Sequence, residues 1–216
     1  MNPSPTRLPC DFLICFAVRE EARFFIPHMG NHCQAIVTGM GAGNTGAALG
    51  NAWEKYNPRH ILTCGFAGAL DPALAVGDVC FATSDSVLGA AAKSAGARRA
   101  TFHSSSRVAV TAAEKSSLRA ATGLDAVEME SAVIVSAARE RGLPVAIVRV
   151  ISDTAGEDLP LDFNALMTAK QSIHFPKLLV ALARSPGKIP ALLTLQKNTT
   201  LAARHLAATL VKITSR

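Results

Sequence analysis

An α/β architecture, strands of a buried sheet alternating with helices, is what this 216-residue sequence predicts, and three observations predict it. Short apolar runs at residues 12–18, 35–38, 60–64, 79–83 and 143–153 have the length and composition of buried strands. Helical stretches rich in Ala and Leu fall between several of them. Glycine clusters mark the strand exits, at Gly39 to Gly46 and at Gly65-Phe66-Ala67-Gly68. That alternation is how a sheet covered by helices is written in sequence.

The elements follow in order. After the strand at 12–18, Arg19-Glu20-Glu21 opens a helical stretch that runs to Phe25 and stops near Pro27. The second strand, 35–38, enters Gly39-Met40-Gly41-Ala42-Gly43-Asn44-Thr45-Gly46 and then a helix reaching Tyr56. The third, 60–64, exits through Gly65 to Gly68; Asp71-Pro72 turns the chain, and Gly77-Asp78 precedes the strand at 79–83. Residues 86–106 are rich in Ala, Ser and Gly without a clear period and read as loop, and 108–110 reads as a short strand. Thr111, with Glu114 three residues on, has the pattern of a capping box. Ala126-Val127-Glu128-Met129-Glu130 leads two carboxylates into a helix that continues over 133–139. Leu143-Pro144 starts a strand that delivers Asp153 to its end. From Phe163 onward the pattern is helical, with interruptions at Pro176, at Ser185-Pro186-Gly187 and at Pro190.

Composition excludes several classes. At 49% hydrophobic and 18% charged the chain can bury a sizeable core in one domain. No apolar run reaches the roughly 18 residues of a membrane span, and the first ten residues carry Pro, Ser and Thr rather than an apolar signal segment. Five cysteines, at 10, 15, 33, 64 and 80, form no CxxC pair, which argues against a disulfide framework or zinc site and for a reducing cytoplasm. The histidines show no HExxH or HxH spacing, so no metal is expected. The net charge of +6 resides in the C-terminus: eight basic and no acidic residues follow Asp162, against 14 basic and 16 acidic up to and including it. A nucleic-acid partner is therefore not expected of the whole chain. Residues 185–216 read as a basic helical extension to a domain at 1–184. Its apolar stripe, Leu192, Leu195, Leu201, Ala202, Leu206, Leu210 and Val211, faces either the chain's own core or an anionic membrane surface.

Carboxylates are costly to desolvate, so a buried strand that delivers Asp153 to its end points to a site, and in open α/β sheets sites lie at the carboxyl ends of strands. Bland roles compete. Asp153 could cap a helix; Glu128 and Glu130 could be helix N-terminal acids favoured by the dipole; the glycine run could be a tight turn. A dinucleotide fingerprint fits that run poorly, because it follows the second strand and no acid stands at a strand end about 20 residues on. A loop whose backbone amides approach an anion or a sugar is the other functional reading.

Taken together, strand-Arg19-Glu20-Glu21, the Gly39 to Gly46 loop, Gly65-Phe66-Ala67-Gly68 with Gly77-Asp78, Val127-Glu128-Met129-Glu130 and Arg149-Val150-Ile151-Ser152-Asp153 occur in an order that resembles the nucleoside phosphorylase superfamily. The likeness spans residues 12–175 and is greatest to the methylthioadenosine/S-adenosylhomocysteine nucleosidase branch. Within the superfamily the chain looks most like the short hopanoid-associated phosphorylases, a likeness that implies release of adenine from adenosylhopane. The short stretch from Asp78 to Glu128 and the segments 112–123 and 182–193 carry that resemblance, although Glu128 stands where the subgroup often has an acid of the other length.

The resemblance implies a three-layer αβα sandwich around a mixed sheet, with added C-terminal helices. It implies an enzyme without a cofactor, a homodimer, cytoplasmic or peripheral at the inner membrane face. The implied substrate is a 5′-substituted adenosine of the methylthioadenosine, S-adenosylhomocysteine or adenosylhopane type, cleaved at its N-glycosidic bond. Asp153 matches the acid that binds the purine's imidazole nitrogen, and Glu21 the base that activates water. Glu130 matches the residue gripping the ribose hydroxyls and Met129 the one packing the sugar face. Arg149 matches a residue near the nucleophile and Phe163 an aromatic over the 5′ side. Glu128, Ala67, Gly68 and Val108 complete the substrate-binding set.

Two residues depart from the pattern: Phe66 stands in place of a serine that helps hold water, and Arg107 lies near the position of an aromatic that stacks on the base. The phosphorylases hold phosphate with an arginine in a Gly-Asp-Pro-x-Arg segment, where this chain has Val18-Arg19-Glu20-Glu21. A carboxylate there repels phosphate, which favours hydrolysis while leaving phosphate an open partner. A non-catalytic nucleoside-binding or membrane-associated protein is the alternative, favoured by Phe66 and Arg107; the set of Glu21, Glu130 and Asp153 favours the enzyme. Asp153→Asn, being nearly isosteric, is expected to change folding little.

Overall fold

The computed structural model describes residues 7–166 and 186–215. Eight strands form one mixed sheet: β1 (Leu8–Phe16), β2 (Cys33–Val37), β3 (Tyr56–Ala69), β4 (Val79–Thr83), β5 (Arg98–Arg99), β6 (Phe102–Ser104), β7 (Ala126–Glu128) and β8 (Val145–Asp153). The order is β2-β1-β3-β8-β4-β5, with β7 paired to β3 and to β6. β1, β2, β3 and β8 run parallel, whereas β4 is antiparallel to β8 and β7 to β3.

Alternation along β1 builds the layers. Phe12, Ile14 and Phe16 face one side and Leu13 and Cys15 the other. The first side is covered by α1 (Arg19–Ala22), α3 (Ser86–Ser94) and α7 (Ile189–Thr214), through Ala22, Leu88, Leu206, Leu210 and Ile213. The second is covered by α2 (Ala42–Lys55) and α5 (Ser131–Arg139), through Leu49, Trp53, Ile134 and Ala138. The result is the expected αβα sandwich. Two further helices, α4 (Ala112–Thr122) and α6 (Phe163–Leu166), complete the described set.

Several elements differ from expectation. Residues 86–106 are not loop: Asp85 caps α3 by accepting the Leu88 N–H at 2.8 Å, Leu88 and Ala92 turn inward, and β5 and β6 follow. Small alanines and serines gave this helix too little polar contrast to show a period. Residues 108–110 form no strand, because the Val108 N–H and C=O are both bound by the Asn164 amide at 2.9 Å. Residues 126–128 are strand rather than helix, and α5 starts at Ser131 only after Glu128 has accepted the N–H groups of Glu130 and Ser131. Gly65 to Gly68 belong to β3 itself, which continues to Ala69 beside β8. α1 closes at Ala22, and Pro27 sits within a short 3₁₀ turn, Ile26–His28. Pro190 does not interrupt a helix but occupies the first turn of α7, where no N–H is needed.

The second half of the C-terminal apolar stripe is used by the chain's own core: Ala202, Leu206 and Leu210 are buried and Val211 packs against them, whereas Leu192 and Leu195 are only partly buried and Leu201 is exposed. Lys188, Lys197, Arg204 and Lys212 face solvent. Lys170, Lys177, Arg184 and the interruption at Pro176 lie outside the described residues. Among the described residues no helix is long and apolar enough to cross a membrane. Because Leu206 is fully enclosed between α7 and the sheet, Leu206→Ala should lower stability by about 2–5 kcal/mol, read as a fall in the urea midpoint at unchanged slope.

Candidate active site

The site begins with a glycine. Gly65 in β3 lies opposite Arg149 in β8. A Cβ on Gly65 would stand 2.5 Å from Arg149 Nη1 and closer still to Glu21 Oε1, so only a bare Cα lets the guanidinium and the carboxylate meet there. Arg149 is 1% exposed. Its Nη2 donates to Glu128 Oε2 at 2.6 Å and to Thr63 Oγ1 at 3.2 Å, and lies 3.7 Å from Glu130 Oε2. Burial alone would favour loss of its proton, but Glu128, Glu130 and Glu21 outweigh that and hold it more basic than usual.

One cation thus serves three acids, and their hydrogen bonds set them apart. Glu128 is the most heavily bonded: besides Arg149 its Oε2 accepts from Ser131 N at 2.8 Å and Glu130 N at 3.0 Å, and its Oε1 from Ser131 Oγ at 2.5 Å. Burial pushes its carboxyl up, yet Arg149 and the Ser131 and Glu130 donors win and hold it below the ordinary value. Glu130 accepts the Gly41 N–H at 3.1 Å, so that amide of the glycine run is committed to a side chain of the protein. Burial keeps Glu130 above the ordinary value despite Arg149 and Gly41. Glu21 accepts from Ala17 N at 2.8 Å and Val18 N at 3.1 Å on one oxygen and from Phe66 N at 2.8 Å on the other. Burial pushes it up to about 7, against Arg149 and the Phe66 and Val18 amides and with help from Glu130.

Asp153 ends β8 against Gly68, where a Cβ would lie 3.0 Å from its Oδ2. Its Oδ1 accepts from Ser152 Oγ at 2.6 Å. Its Oδ2 lies 2.5 Å from Nζ of Lys115, a lysine of α4 with 0% exposure. Lys115 Nζ also donates to the Thr154 and Glu157 carbonyls at 2.8 and 2.9 Å.

A cavity of about 230 Å³ joins these groups. Glu21, Glu128, Met129, Glu130, Asp153, Ala67, Gly68, Val108 and Phe163 all line it; Arg149 does not, and acts from behind the carboxylates. Phe66 and Arg107 are on the lining too, with Arg107 Nη2 held by Glu114 Oε1 at 2.5 Å. The Asn164 amide ties Val108 to the start of α6, next to Phe163, and the Leu159 N–H donates to the Val110 carbonyl at 2.7 Å. Met40, Leu159 and Leu195 were not anticipated on the lining. Lys115, behind Asp153 and off the lining, was not anticipated as a buried partner either, since a lysine just inside a capped helix reads as solvated. Leu195 carries no local sign of a site more than 40 residues beyond Asp153. The arrangement supplies a carboxyl that ionises near neutrality, a hydrogen-bond acceptor in Glu130, and an aspartate backed by a buried ammonium, all on one cavity. Among the described residues no three His, Cys, Asp or Glu side chains are grouped to hold a metal.

Comparison with known proteins bears on the family and the fold. The family model described as "Phosphorylase superfamily" matches residues 14–106 and 89–184. The 5′-methylthioadenosine/S-adenosylhomocysteine nucleosidase of Staphylococcus epidermidis is 33% identical over 61 residues, a stretch covering 27% of this chain and only 26% of that protein. The nucleosidase of the same description from Neisseria meningitidis, solved with methylthio-immucillin-A, superposes with a TM-score of 0.72 at 18% identity, over 94% of this chain and 97% of that one. Futalosine hydrolase of Helicobacter pylori superposes with a TM-score of 0.69 at 17% identity, over 95% and 97%.

Two consequences are measurable. Gly65→Ala should cost about 1–3 kcal/mol in chemical denaturation, since neither ionic neighbour can retreat into the packed sheet. Asp153→Asn will not be neutral for folding, contrary to what its shape suggests. It leaves the Lys115 ammonium without a counter-ion, and a loss of about 3 kcal/mol is expected, partly recovered when Lys115→Met is added.

Proposed function

Because the chain belongs to the phosphorylase superfamily, we propose that it is an enzyme cleaving the N-glycosidic bond of a 5′-substituted adenosine by hydrolysis, with release of adenine. The observation that carries the reading is the placing of Glu21, pushed up to about 7, on the same cavity as Asp153. Breaking a purine–ribose bond passes through an oxocarbenium-like state, for which one carboxyl protonates the leaving group and another activates water. Asp153 gives the departing base its proton. Glu21 takes a proton from water, which adds to the anomeric carbon. Glu130, whose bond to Gly41 engages one oxygen, accepts the ribose hydroxyls with its remaining capacity. Met129 packs on the sugar.

Water is favoured over phosphate by charge. Arg107 is the one arginine or lysine on the cavity among the described residues, and Glu114 already holds it. A phosphate dianion would meet Glu21, Glu128 and Glu130 there without a free cation. An apolar 5′ substituent, methylthio or polycyclic, is supported by Val108, Leu159, Phe163 and Leu195 on the lining. A non-catalytic binder is disfavoured by Phe66: whatever its side chain, its backbone N–H completes the cradle of Glu21.

The deciding assay is adenine release from methylthioadenosine, S-adenosylhomocysteine and adenosylhopane, with and without phosphate. Release independent of phosphate is expected, and release only in its presence would refute hydrolysis. Glu21 must be ionised to act, so kcat/KM should fall about tenfold per unit as pH drops below about 7. Glu21→Gln, which cannot take the proton, should abolish turnover at every pH. Glu130→Ala should raise KM more than it lowers kcat. If a 2′,3′-dideoxy substrate bound the wild-type protein as tightly as its parent, the role of Glu130 would be wrong.

A further inference from the structure

We propose that Lys115 is a positioning residue that supplies, through Asp153, the proton taken up by the departing base. The proposal rests on the glycosidic cleavage inferred above. Nothing in the reaction as usually written calls for a lysine here, and full burial of an ammonium needs a reason.

The reason lies in counting hydrogen bonds. An ammonium has three N–H donors, and Lys115 Nζ has three acceptors: the Thr154 carbonyl, the Glu157 carbonyl and Asp153 Oδ2. A neutral amine has two donors and one lone pair. The same three neighbours satisfy it equally well, the two carbonyls accepting and a protonated Asp153 donating to the lone pair. The hydrogen-bond count around the pair is therefore the same before and after a proton passes between its members. An apolar residue at 115 would take a donor from both carbonyls, leaving Thr154 only the Glu157 N–H at 3.3 Å, and an arginine, which does not deprotonate, would keep the charge but withhold the proton. Ser152 steadies the carboxyl from the other oxygen.

The step balances. A proton passes from Lys115 Nζ to Asp153 Oδ2, which leaves the lysine neutral. The carboxyl turns this O–H toward the purine by rotation about its C–O bond. The bond from C1′ to the purine breaks, its electron pair goes to the base, and the purine's imidazole nitrogen takes the proton from Asp153. Water adds to C1′ and loses its proton to Glu21. Glu21 then releases that proton to solvent and the pair of Lys115 and Asp153 regains one, so the net reaction consumes only water and nucleoside.

The test compares two leaving groups in the full chain: 5′-methylthioadenosine, whose adenine needs a proton, and a nitrophenyl riboside, whose phenolate does not. Lys115→Met and Lys115→Arg should each lower kcat for the adenine substrate by about 10²-fold, while kcat for the nitrophenyl riboside changes by less than about threefold. Equal losses on both substrates would reduce Lys115 to a structural cation and overturn the proposal, as would an arginine variant with wild-type kcat on methylthioadenosine. If both variants fail to fold, a proton inventory on the wild-type protein in mixed light and heavy water decides. It should be bowed for methylthioadenosine and linear for the nitrophenyl riboside, and identical plots would overturn the proposal. A wild-type chain that is active but insensitive to position 115 refutes this inference alone. A wild-type chain that releases no base from any nucleoside refutes the reaction and the inference with it.

Discussion

A guanidinium taken out of water must be given partners, and Arg149 sets that requirement at the centre of the sheet. The penalty for burying such an ion is several kcal/mol, recovered only where geometry and further hydrogen bonds are good. The surrounding chain reads as the set of partners. Gly65 yields the space beside it. Glu128 takes its charge and in the same act gathers the first N–H groups of α5. Glu130 carries the connection on to Gly41 and the start of α2. Glu21 ties the end of β1 to Phe66 in β3. Four segments far apart in sequence are held to one cation, and the cavity is the space they enclose.

One cation cannot neutralise three carboxylates, and that shortfall divides their labour. Glu128, with three donors on Oε2 and the Ser131 hydroxyl on Oε1, is an anion largely committed to the protein itself. Glu21 is cradled by amides yet buried enough to be poised for proton exchange. Glu130 lies between them. The second cation, Lys115, is reserved for Asp153 across the cavity. Two ionic centres, each with its own counter-charge, let a base and an acid face the same ligand without one cancelling the other.

How much of this was legible in the sequence depended on the kind of signal. β1, β2, β4 and β8 announced themselves as apolar runs, and Asp153 at the end of β8 stood out because a buried strand seldom leads to a carboxylate without cause, whereas Glu21 was marked only by the family resemblance. α3 was hidden because alanine and serine blur the contrast between faces. The strand at 126–128 was masked by the acids that follow it, since Glu128 and Glu130 look like the opening of a helix. The role of Arg149 as a cation behind the cavity and the burial of Lys115 were out of reach, because both depend on tertiary pairing that no local pattern encodes. Leu195 and Met40 were missed for the same reason, being brought to the cavity by segments that pack from opposite ends of the chain.

The helix α7 has a divided character. From Ala202 to Ile213 it is part of the core, whereas its first turns, from Ile189, are mostly exposed and touch the cavity through Leu195. Stability within a helix follows its buried contacts, so the outer turns open at a much smaller free energy than the anchored half. A ligand in contact with Leu195 would therefore add to the few contacts that hold those turns, and by linkage their docking would add equally to its binding. The cavity wall at Leu195 is thus carried by the exposed half of a helix whose other half is core.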